Sequence, residues 1–186
     1  MTGEGDTRRD ELVGVALRVL ERDGLEQFSI GAIAREAGIK PPSLYKQFVN
    51  KADIEAAMVE LGFRTQAVVN REAVAALGSS ASPGQIARTL VRAYRDFGLQ
   101  HPQLYRLMND RPLPETFPQE AMDAISADYR RLFTDPLLAT SFWAWAHGLL
   151  TLELANRFES QSNIDGLWAV MVEHLVAEVE GANSAR

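Results

Sequence analysis

The chain has 186 residues, 46% of them hydrophobic, and contains no cysteine. This length suits one domain or a small module joined to a larger one, with enough apolar residues for a sizeable core. The lack of cysteine excludes disulfides, thiolate metal sites and a cysteine nucleophile, and it fits a reducing cytoplasm. The net charge of −6 argues against a protein that coats nucleic acid over its whole surface.

The start of the chain, MTGEGDTRRDE, has no apolar run behind a basic segment, so we predict no signal peptide. The first helix is predicted from Asp6 to Arg22, with apolar residues at helical spacing, and Gly24 ends it. Ser29 is a suitable N-cap for a short second helix from Ile30 to Ala37, which Gly38 closes.

Pro41-Pro42 predicts the start of a third helix running to about Gln47, because proline is tolerated in the first helical turn. Asn50 is expected to cap a fourth helix from Lys51 to Leu77, with Asp53 completing an imperfect capping box. The segment GSSASPG at 78–84 is predicted to be a linker.

The rest of the chain is also predicted to be helical, and no segment has the alternation of a strand. Helices are expected at roughly 85–100, 103–109, 118–133, 136–159 and 164–180. The apolar stretch from Pro136 to Leu152 is interrupted by polar residues and is too short to span a membrane, so we interpret it as a buried helix. The prediction is an all-α protein of about nine helices, with a domain at 1–50 and a second at 51–186 that begins with the connecting helix Lys51–Leu77.

Basic residues are concentrated in one part of this acidic chain. Between Gln27 and Lys51 there are four basic residues and one acidic residue, whereas residues 1–26 hold four arginines and seven acidic residues. A basic patch about two helices wide favours a local DNA-binding surface.

The segment from Ser29 to Phe48 has the plan of a helix-turn-helix. Ala34 is small enough for two helices to cross closely, and Gly38 tolerates the positive φ that a tight turn requires. Apolar residues are spaced to hold this pair on the first helix: Ile30, Ile33, Ile39, Leu44 and Phe48. Spacing alone leaves two alternatives, a DNA-binding motif and a purely structural helical hairpin.

The residues FSIGAIAREAGIKPPSLYKQFVNKADI resemble the N-terminal signature of the tetracycline-repressor (TetR) family. That signature has Ile-Ala…Ala-Gly in one helix, Leu-Tyr…Phe in the next, and then a Lys-Asp/Glu helix start. The matching positions are Ile33, Ala34, Ala37, Gly38, Leu44, Tyr45, Phe48, Lys51 and Asp53. The likeness covers about the first 60 residues. The later segment Trp145-Ala146-His147-Gly148 resembles a subgroup marked by Trp, His and Gly.

The resemblance implies that the helix beginning near Pro41 enters the major groove of DNA. Lys40 and Ser43 are expected to contact bases, with phosphate as an alternative for Lys40, and Pro42 to touch a thymine methyl. The predicted phosphate contacts are Tyr45, Lys46, Lys51 and the helix start at Ser29.

Some of these assignments have alternatives. Tyr45 could instead pack in the core, and Lys46 and Lys51 could lie on a solvated surface. Arg8 and Arg9 are interpreted as solvated, with a minor-groove arm as the alternative. About four phosphate contacts per subunit predict a salt slope near −7 for a dimer.

The last two predicted helices are apolar nearly all round, whereas an outer helix of a monomer needs one apolar stripe. This favours a homodimer formed through both helices, which is also the family's arrangement, with a monomeric core as the alternative. Two-fold symmetry then places the two DNA-binding heads about 34–36 Å apart.

The resemblance also implies a mostly apolar pocket for a small effector of unknown identity. Aromatic residues and methionines suggest its lining, with core packing as the alternative for each: Tyr94, Phe97, Tyr105, Met108, Met122, Trp143 and His147. Polar contacts are expected from His147, Asn109 or Tyr105.

Neither catalysis nor a metal site is predicted, because the three histidines fall on separate helices and no GxSxG, HExxH or phosphate-binding glycine loop is present. We also expect no cofactor and no membrane contact. The resulting hypothesis is a DNA-binding transcriptional regulator, a repressor released from a palindromic operator when an effector shifts the connecting helix. One alternative is a DNA-binding architectural or division-control protein without an effector. Another is a helical enzyme or ligand carrier.

Overall fold

The computed structural model describes residues 4–113, 117–133, 135–159 and 163–184. All regular structure in these ranges is helical, which confirms the all-α prediction. The helices are α1 (Glu4–Asp23), α2 (Ile30–Glu36), α3 (Pro41–Leu44), α4 (Lys51–Ala75), α5 (Pro83–Gln100), α6 (Pro102–Asn109), α7 (Gln119–Leu132), α8 (Pro136–Leu154) and α9 (Ile164–Ser184). None of them is long and apolar enough to cross a membrane within the described part of the chain.

The ends of the first two helices follow the local chemistry of the sequence. The hydroxyl of Ser29 accepts a hydrogen bond from the backbone N–H of Ala32 at 3.2 Å, so it caps α2 as predicted. Gly24 and Gly38 have φ angles of 77° and 65°, in the left-handed region that favours glycine. Both predicted turns are therefore confirmed.

Helix α3 ends at Leu44, earlier than the predicted end near Gln47. The backbone amides of Gln47 and Phe48 both donate to the carbonyl of Leu44, at 2.9 and 3.0 Å, which closes the chain into a turn. The carbonyl of Gln47, in this turn, accepts from the Arg9 side chain at 2.5 Å. A contact distant in sequence thus accompanies the early end.

Helix α8 ends at Leu154, so its predicted extension to residue 159 is wrong. Asn156 adopts a left-handed conformation with φ of 52°, and its amide donates to the carbonyl of Glu153. The amide of Arg157 donates back to the carbonyl of Leu152 at 2.9 Å. This pair of bonds is the Schellman arrangement that terminates helices, here with asparagine in the position that glycine usually occupies.

The predicted linker at 78–84 overlaps the start of α5, which begins at Pro83. Ser82 and Gln85 bond reciprocally, each side chain accepting from the other's backbone N–H at 3.2 and 2.8 Å. This capping box fixes the start of α5 before the end of the glycine- and serine-rich segment. The other predicted helices differ from the observed ones by a few residues at their ends.

The chain divides into two compact units. Unit 1 comprises Met1–Phe63 and His101–Gln119, and unit 2 comprises Arg64–Gln100 and Glu120–Arg186. Helix α4 therefore contributes its first half to unit 1 and its second half to unit 2. The predicted boundary at residue 50 divides the chain by function, and it stays a prediction.

Unit 1 has a core built from α1 and the two short helices that follow it. The buried apolar residues are Leu12, Val13, Ala16, Val19, Leu20, Phe28, Ile33, Ala34, Leu44, Phe48, Ile54 and Met58. Helix α6 also packs on α1, and the Glu21 carboxylate accepts from the backbone amides of Gln103 and Leu104 at 3.1 and 2.9 Å. A carboxylate is stabilised at a helix N-terminus, so this contact attaches α6 to α1.

Unit 2 is organised by α5, which packs against α8 and α9. A Cβ atom at Gly98 would lie 2.4 Å from the side chain of Leu150, so this glycine allows α5 and α8 to cross closely. Leu90, Leu150 and Met171 are each at most 1% exposed and fill the centre of this contact.

Candidate DNA-binding interface

The start of α3 presents exposed residues to the outside of unit 1. Lys40 is the N-cap residue in an extended conformation, and Pro41 and Pro42 occupy the first helical positions. These three residues are exposed, while Ser43 is half-buried and its amide donates to the carbonyl of Lys40 at 2.8 Å. The proposed base-contacting residues Lys40, Pro42 and Ser43 therefore lie together at one helix end.

The following turn separates core residues from surface residues. Leu44 and Phe48 are 1% and 2% exposed and anchor α3 in the core of unit 1. Tyr45 is 54% exposed, and Lys46 is exposed as well. Tyr45 is therefore not a core residue, and a large aromatic side chain held outside the core is available to a partner.

Lys51 lies at the start of α4 and is less free than a solvated lysine. Its ammonium nitrogen is 3.5 Å from a carboxylate oxygen of Glu55 and 5.2 Å from the centre of the Phe28 ring. The other carboxylate oxygen of Glu55 pairs with Arg111 at 2.7 Å. Lys51 is thus oriented by two neighbours in unit 1, Glu55 and Phe28.

Arg9 attaches the segment from Lys40 to Phe48, called the recognition segment, to α1. The interpretation of Arg9 as a solvated residue missed this role. Its guanidinium donates to the carbonyl of Gln47 and to Asp53 at 2.7 Å, and it lies 4.3 Å from the centre of the Phe48 ring. Nothing in the local sequence signals this contact, because Arg9 and Asp53 are 44 positions apart.

Asp53 connects these contacts of Arg9, called the Arg9 clamp, to the start of α4. Its second carboxylate oxygen accepts from the backbone N–H of Val49 at 2.9 Å, while the side chain of Asn50 accepts from the N–H of Asp53 at 3.0 Å. The predicted cap by Asn50 is therefore present, and the capping box is imperfect because Asp53 accepts from Val49, one residue before the cap. The Arg9 guanidinium, helped by the Val49 amide, holds the pKa of Asp53 below its usual value.

In unit 2, α8 and α9 expose large apolar side chains. The exposed residues are Leu137, Trp143, Trp145, Leu152, Leu167 and Val170, between 38% and 77% exposed. On α9, the positions of Leu167, Val170, His174 and Ala177 alternate by three and four residues, so they share one face. The surface formed by these exposed residues of α8 and α9 is called the α8–α9 face.

The seven predicted effector-binding residues are divided between the units. Tyr105 and Met108 are buried in unit 1, and Tyr94 and Phe97 are buried in unit 2. Met122 is half-buried on α7. Trp143 is 53% exposed and stacks on His147 with 5.5 Å between ring centres, so this pair lies on the surface of unit 2.

One of the polar side chains expected to contact the effector, that of Asn109, already makes a hydrogen bond within the fold. The side-chain amide of Asn109 donates to the carbonyl of Tyr105, one turn earlier on α6, at 2.8 Å. This bond satisfies an amide N–H of Asn109 that we expected to contact the effector.

A groove of about 260 Å³ lies between α5 and α9. Its lining includes Arg88, Arg92, Arg95, Asp165, Trp168 and Glu173, and none of the seven predicted effector-binding residues. Arg88 pairs with Glu173, and Arg95 pairs with both Asp165 and Glu153, at 2.7 and 2.6 Å. The charges of the groove are largely engaged with one another and hold α5 against α8 and α9.

Comparison with known proteins relates both parts of the chain to one group. The model described as "Bacterial regulatory proteins, tetR family" matches residues 12–58, and the model described as "Tetracyclin repressor-like, C-terminal domain" matches residues 87–175. An HTH-type transcriptional regulator of Mycobacterium tuberculosis (strain ATCC 25618 / H37Rv), itself uncharacterised, is 24% identical, covering 92% of this chain and 81% of the relative. The DNA-binding transcriptional repressor TetR of Mycobacteroides abscessus is 37% identical over 60 residues, which are 32% of each chain.

Solved structures share the fold at low sequence identity. A tetR-family transcriptional regulator from Streptomyces coelicolor has a TM-score of 0.70 at 22% identity, covering 96% of this chain and 85% of that one. A variant of TetR from Acinetobacter baumannii AYE, in complex with minocycline, has a TM-score of 0.63 at 15% identity, covering 99% and 98%. These similarities extend over nearly the whole length of the chain.

Proposed function

Because this chain belongs to the tetracycline-repressor family of bacterial transcription regulators, we propose that it is a homodimeric repressor released from a palindromic operator by a small, mostly apolar effector. The single observation that carries the DNA-binding part is the surface around α3. There, Lys40, Pro42, Tyr45 and Lys46 are exposed while Leu44 and Phe48 fix the backbone from inside. A rigidly held polar and basic surface on an otherwise acidic chain suits docking into a DNA groove.

The proposed contacts form two groups, one to the DNA bases and one to the DNA phosphates. Lys40, Pro42 and Ser43 lie at the N-terminal end of α3, the part of a recognition helix that reaches base edges. Tyr45, Lys46 and the N–H groups at the Ser29 end of α2 bind phosphates. Lys51 binds phosphate as a fixed charge, since Phe28 and Glu55 already orient it.

Dimerisation through the α8–α9 face explains why that face is apolar and exposed in a single chain. Exposed apolar side chains as large as Trp143 and Val170 on one surface mark an interaction site. A two-fold axis through it makes the same residues face each other, which closes the assembly at two subunits. Each dimer then carries two DNA-binding heads, as a palindrome requires.

Release by an effector is supported by the path of α4 and by the relatives. The helix runs from Lys51, beside α3, into unit 2, so a displacement of its second half acts on the head of the same chain. The effector must bind the state that does not fit DNA more tightly, since only differential affinity shifts the equilibrium. The structural relative from Acinetobacter baumannii AYE contains minocycline, a small molecule. The likeness of the segment Trp145–Gly148 to the Trp-His-Gly subgroup stays a prediction.

The test begins with selection of bound sequences from a random DNA pool, followed by affinity measurements on the selected duplex at several salt concentrations. We expect a palindrome and a slope of log K against log salt near −7 for the dimer, from about eight phosphate contacts. A slope shallower than about −3, or no selected sequence, contradicts the proposal.

Two lysine variants refine this test. Lys46→Gln is expected to make the slope shallower by about one for each subunit, because an exposed cation is lost. Lys51→Gln is the matched comparison, with a smaller expected change because Glu55 already neutralises part of that charge. Equal changes in both variants would show that Glu55 does not restrain Lys51.

A further inference from the structure

Unit 2 contains three polar side chains with buried polar atoms, two on the second half of α4 and one on α7. Gln66 and Asn70 are one turn apart on α4 and are 2% and 0% exposed. Tyr129 extends from α7, and its hydroxyl oxygen is buried near the amide of Asn70. These residues are called the amide–phenol cluster.

The cluster has four buried polar atoms that make no hydrogen bond of ordinary geometry in the described structure. Both amide atoms of Asn70, the amide nitrogen of Gln66 and the hydroxyl oxygen of Tyr129 are buried without a hydrogen bond of ordinary geometry, although the Asn70 side chain lies close enough to Tyr129 to interact with its hydroxyl. Native proteins pair the large majority of their buried polar atoms, because an unpaired one loses its bonds to water without replacement. Four such atoms on two facing helices therefore indicate a molecule that binds between them.

The backbones of α4 and α7 are not among the closely packed helix pairs in the described part of unit 2. The closest pairs there are those among α5, α8 and α9. Small buried side chains flank the cluster in sequence, with Ala67 on α4 and Ala121 on α7 each 1% exposed. Met122, a predicted effector contact, lies two turns before Tyr129 on α7 and so shares its face.

The charge around the cluster selects an uncharged ligand. Burial raises the pKa of the Tyr129 phenol, the hydrogen-bonding side chain of Asn70 partly opposes this increase, and the nearby carboxylate of Asp128 adds a smaller increase. Tyr129 is therefore a neutral hydroxyl at any physiological pH. Asp128, itself 8% exposed, also disfavours an anion in the same place.

We infer that Gln66, Asn70 and Tyr129 form the polar end of the effector site and bind an uncharged molecule that carries a carbonyl oxygen next to an N–H or O–H group. The two amide nitrogens and the phenol supply donors for the carbonyl, and the amide oxygen of Asn70 accepts from the ligand. Lactams, amides and hydroxyketones have this pattern. The inference rests on the proposed function and gives its effector a chemical class.

The position of the cluster also connects it to regulation. Gln66 and Asn70 belong to α4, the helix that carries Lys51 at its other end. A ligand bonded to these amides acts directly on that helix. Helix α4 would therefore both bind the carbonyl group of the ligand and carry a residue of the DNA-binding surface.

The experiment compares three single-ring probes on the whole protein without DNA. The probes are 2-pyridone, an uncharged lactam, with benzene and benzoate as the apolar and anionic controls. Binding is followed through the side-chain amide signals in ¹H–¹⁵N spectra, with the Asn70 signal assigned by its loss in Asn70→Leu. We expect 2-pyridone to shift the Asn70 signal and to bind more tightly than either control.

Two variants locate the binding, and one serves as their control. Asn70→Leu and Tyr129→Phe are each expected to weaken 2-pyridone about three- to ten-fold, the range for one lost hydrogen bond. Thr65→Val, at an exposed position on α4, is expected to leave the affinity unchanged. The Tm of ligand-free Asn70→Leu is expected to equal or exceed that of the wild type, because a buried unpaired amide is removed. Tyr129→Phe keeps the test valid if Asn70→Leu fails to fold.

The results separate this inference from the proposed function. Preference for benzene or benzoate, an unchanged affinity in both variants, or no binding of 2-pyridone at millimolar concentration overturns the inference. The last result would mean that the cluster holds structural water only. Failure to select any DNA sequence overturns the proposed function instead, and the probe measurements, made without DNA, remain interpretable.

Discussion

The surface around α3 and the α8–α9 face are both exposed, but they differ in chemistry. Around α3 the exposed side chains are basic, aromatic or proline, and Leu44 and Phe48 hold them from inside unit 1. The α8–α9 face exposes side chains such as Trp143 and Val170 that water solvates poorly. A surface that meets a charged, hydrated duplex remains polar, whereas one that meets its own copy in every molecule is apolar.

The largest effect is expected from a substitution that disrupts the α8–α9 face. Val170→Glu places a carboxylate in the proposed dimer interface, where its two symmetric copies lose solvation and repel each other. We expect the dimer to dissociate about a thousand-fold more readily, the consequence of burying an uncompensated charge. Sedimentation of the wild type and the variant over a range of concentrations measures this change.

Thr65→Glu is the control for that variant, because it adds the same charge at an exposed polar position of α4. Its dimerisation is expected to match the wild type. A Val170→Glu protein that remains dimeric would show that the two chains meet elsewhere.

An intermediate effect is expected from the surface around α3. Replacing Tyr45 and Lys46 together with alanine removes an exposed aromatic and an exposed cation, and neither belongs to the core. We expect operator affinity to fall about 100-fold, from roughly 1–1.5 kcal/mol for each residue. Fluorescence anisotropy with the selected duplex gives the affinity.

The same double variant sharpens the contrast between the two surfaces. Its sedimentation and Tm are expected to match the wild type, unlike those of Val170→Glu. A large drop in Tm would mean that Tyr45 and Lys46 support the fold, and the assignment of this surface to DNA would then be wrong.

The smallest expected effect concerns the clamp that holds the recognition segment to α1. Arg9 lowers the pKa of Asp53, so the contribution of this pair to stability is present above the ordinary aspartate value of 3.8. It is lost as pH falls through the lower value of the folded state. Asp53→Asn is expected to lower the free energy of unfolding by about 1 kcal/mol at pH 7.

Denaturant unfolding at pH 7 and near pH 3 measures this contribution. The difference in stability between the wild type and Asp53→Asn is expected to shrink at the lower pH. Asp10→Asn, at an exposed position on α1, is the control and is expected to show a smaller difference at both values. A constant difference for Asp53→Asn would show that its charge is not involved.

Much of the helical framework could be predicted because its signals are local. Ser29, Gly24 and Gly38 determine their helix ends through bonds and backbone angles that involve near neighbours only. The prediction for α3 extends too far because no local signal ends the helix at Leu44, and the bond from Arg9 to the Gln47 carbonyl joins residues 38 positions apart. Helix α8 was predicted too long because Asn156, which tolerates the left-handed region, stands where a glycine would have been the recognisable signal.

The candidate site shows the same division between local and distant information. Spacing predicted that Leu44 and Phe48 are core residues, whereas the assignment of Lys40, Tyr45 and Lys46 to a DNA-contacting surface came from the resemblance to the family. The pairing of Lys51 with Phe28 and Glu55, and the meeting of Asn70 with Tyr129, depend on how separate segments pack. An amide inside a helix carries no sequence signal that tells a buried binding group from a solvated one.

The sequence by itself determined the all-α architecture and the pair of short helices with its apolar anchors, since periodicity, caps and turns act over a few residues. Only the tertiary structure decided that Arg9 clamps the recognition segment, that α6 belongs with α1, and that Asn70 and Tyr129 share one buried place. Those contacts depend on how helices distant in the chain come together, and burial changes what a polar group contributes only after that packing is complete.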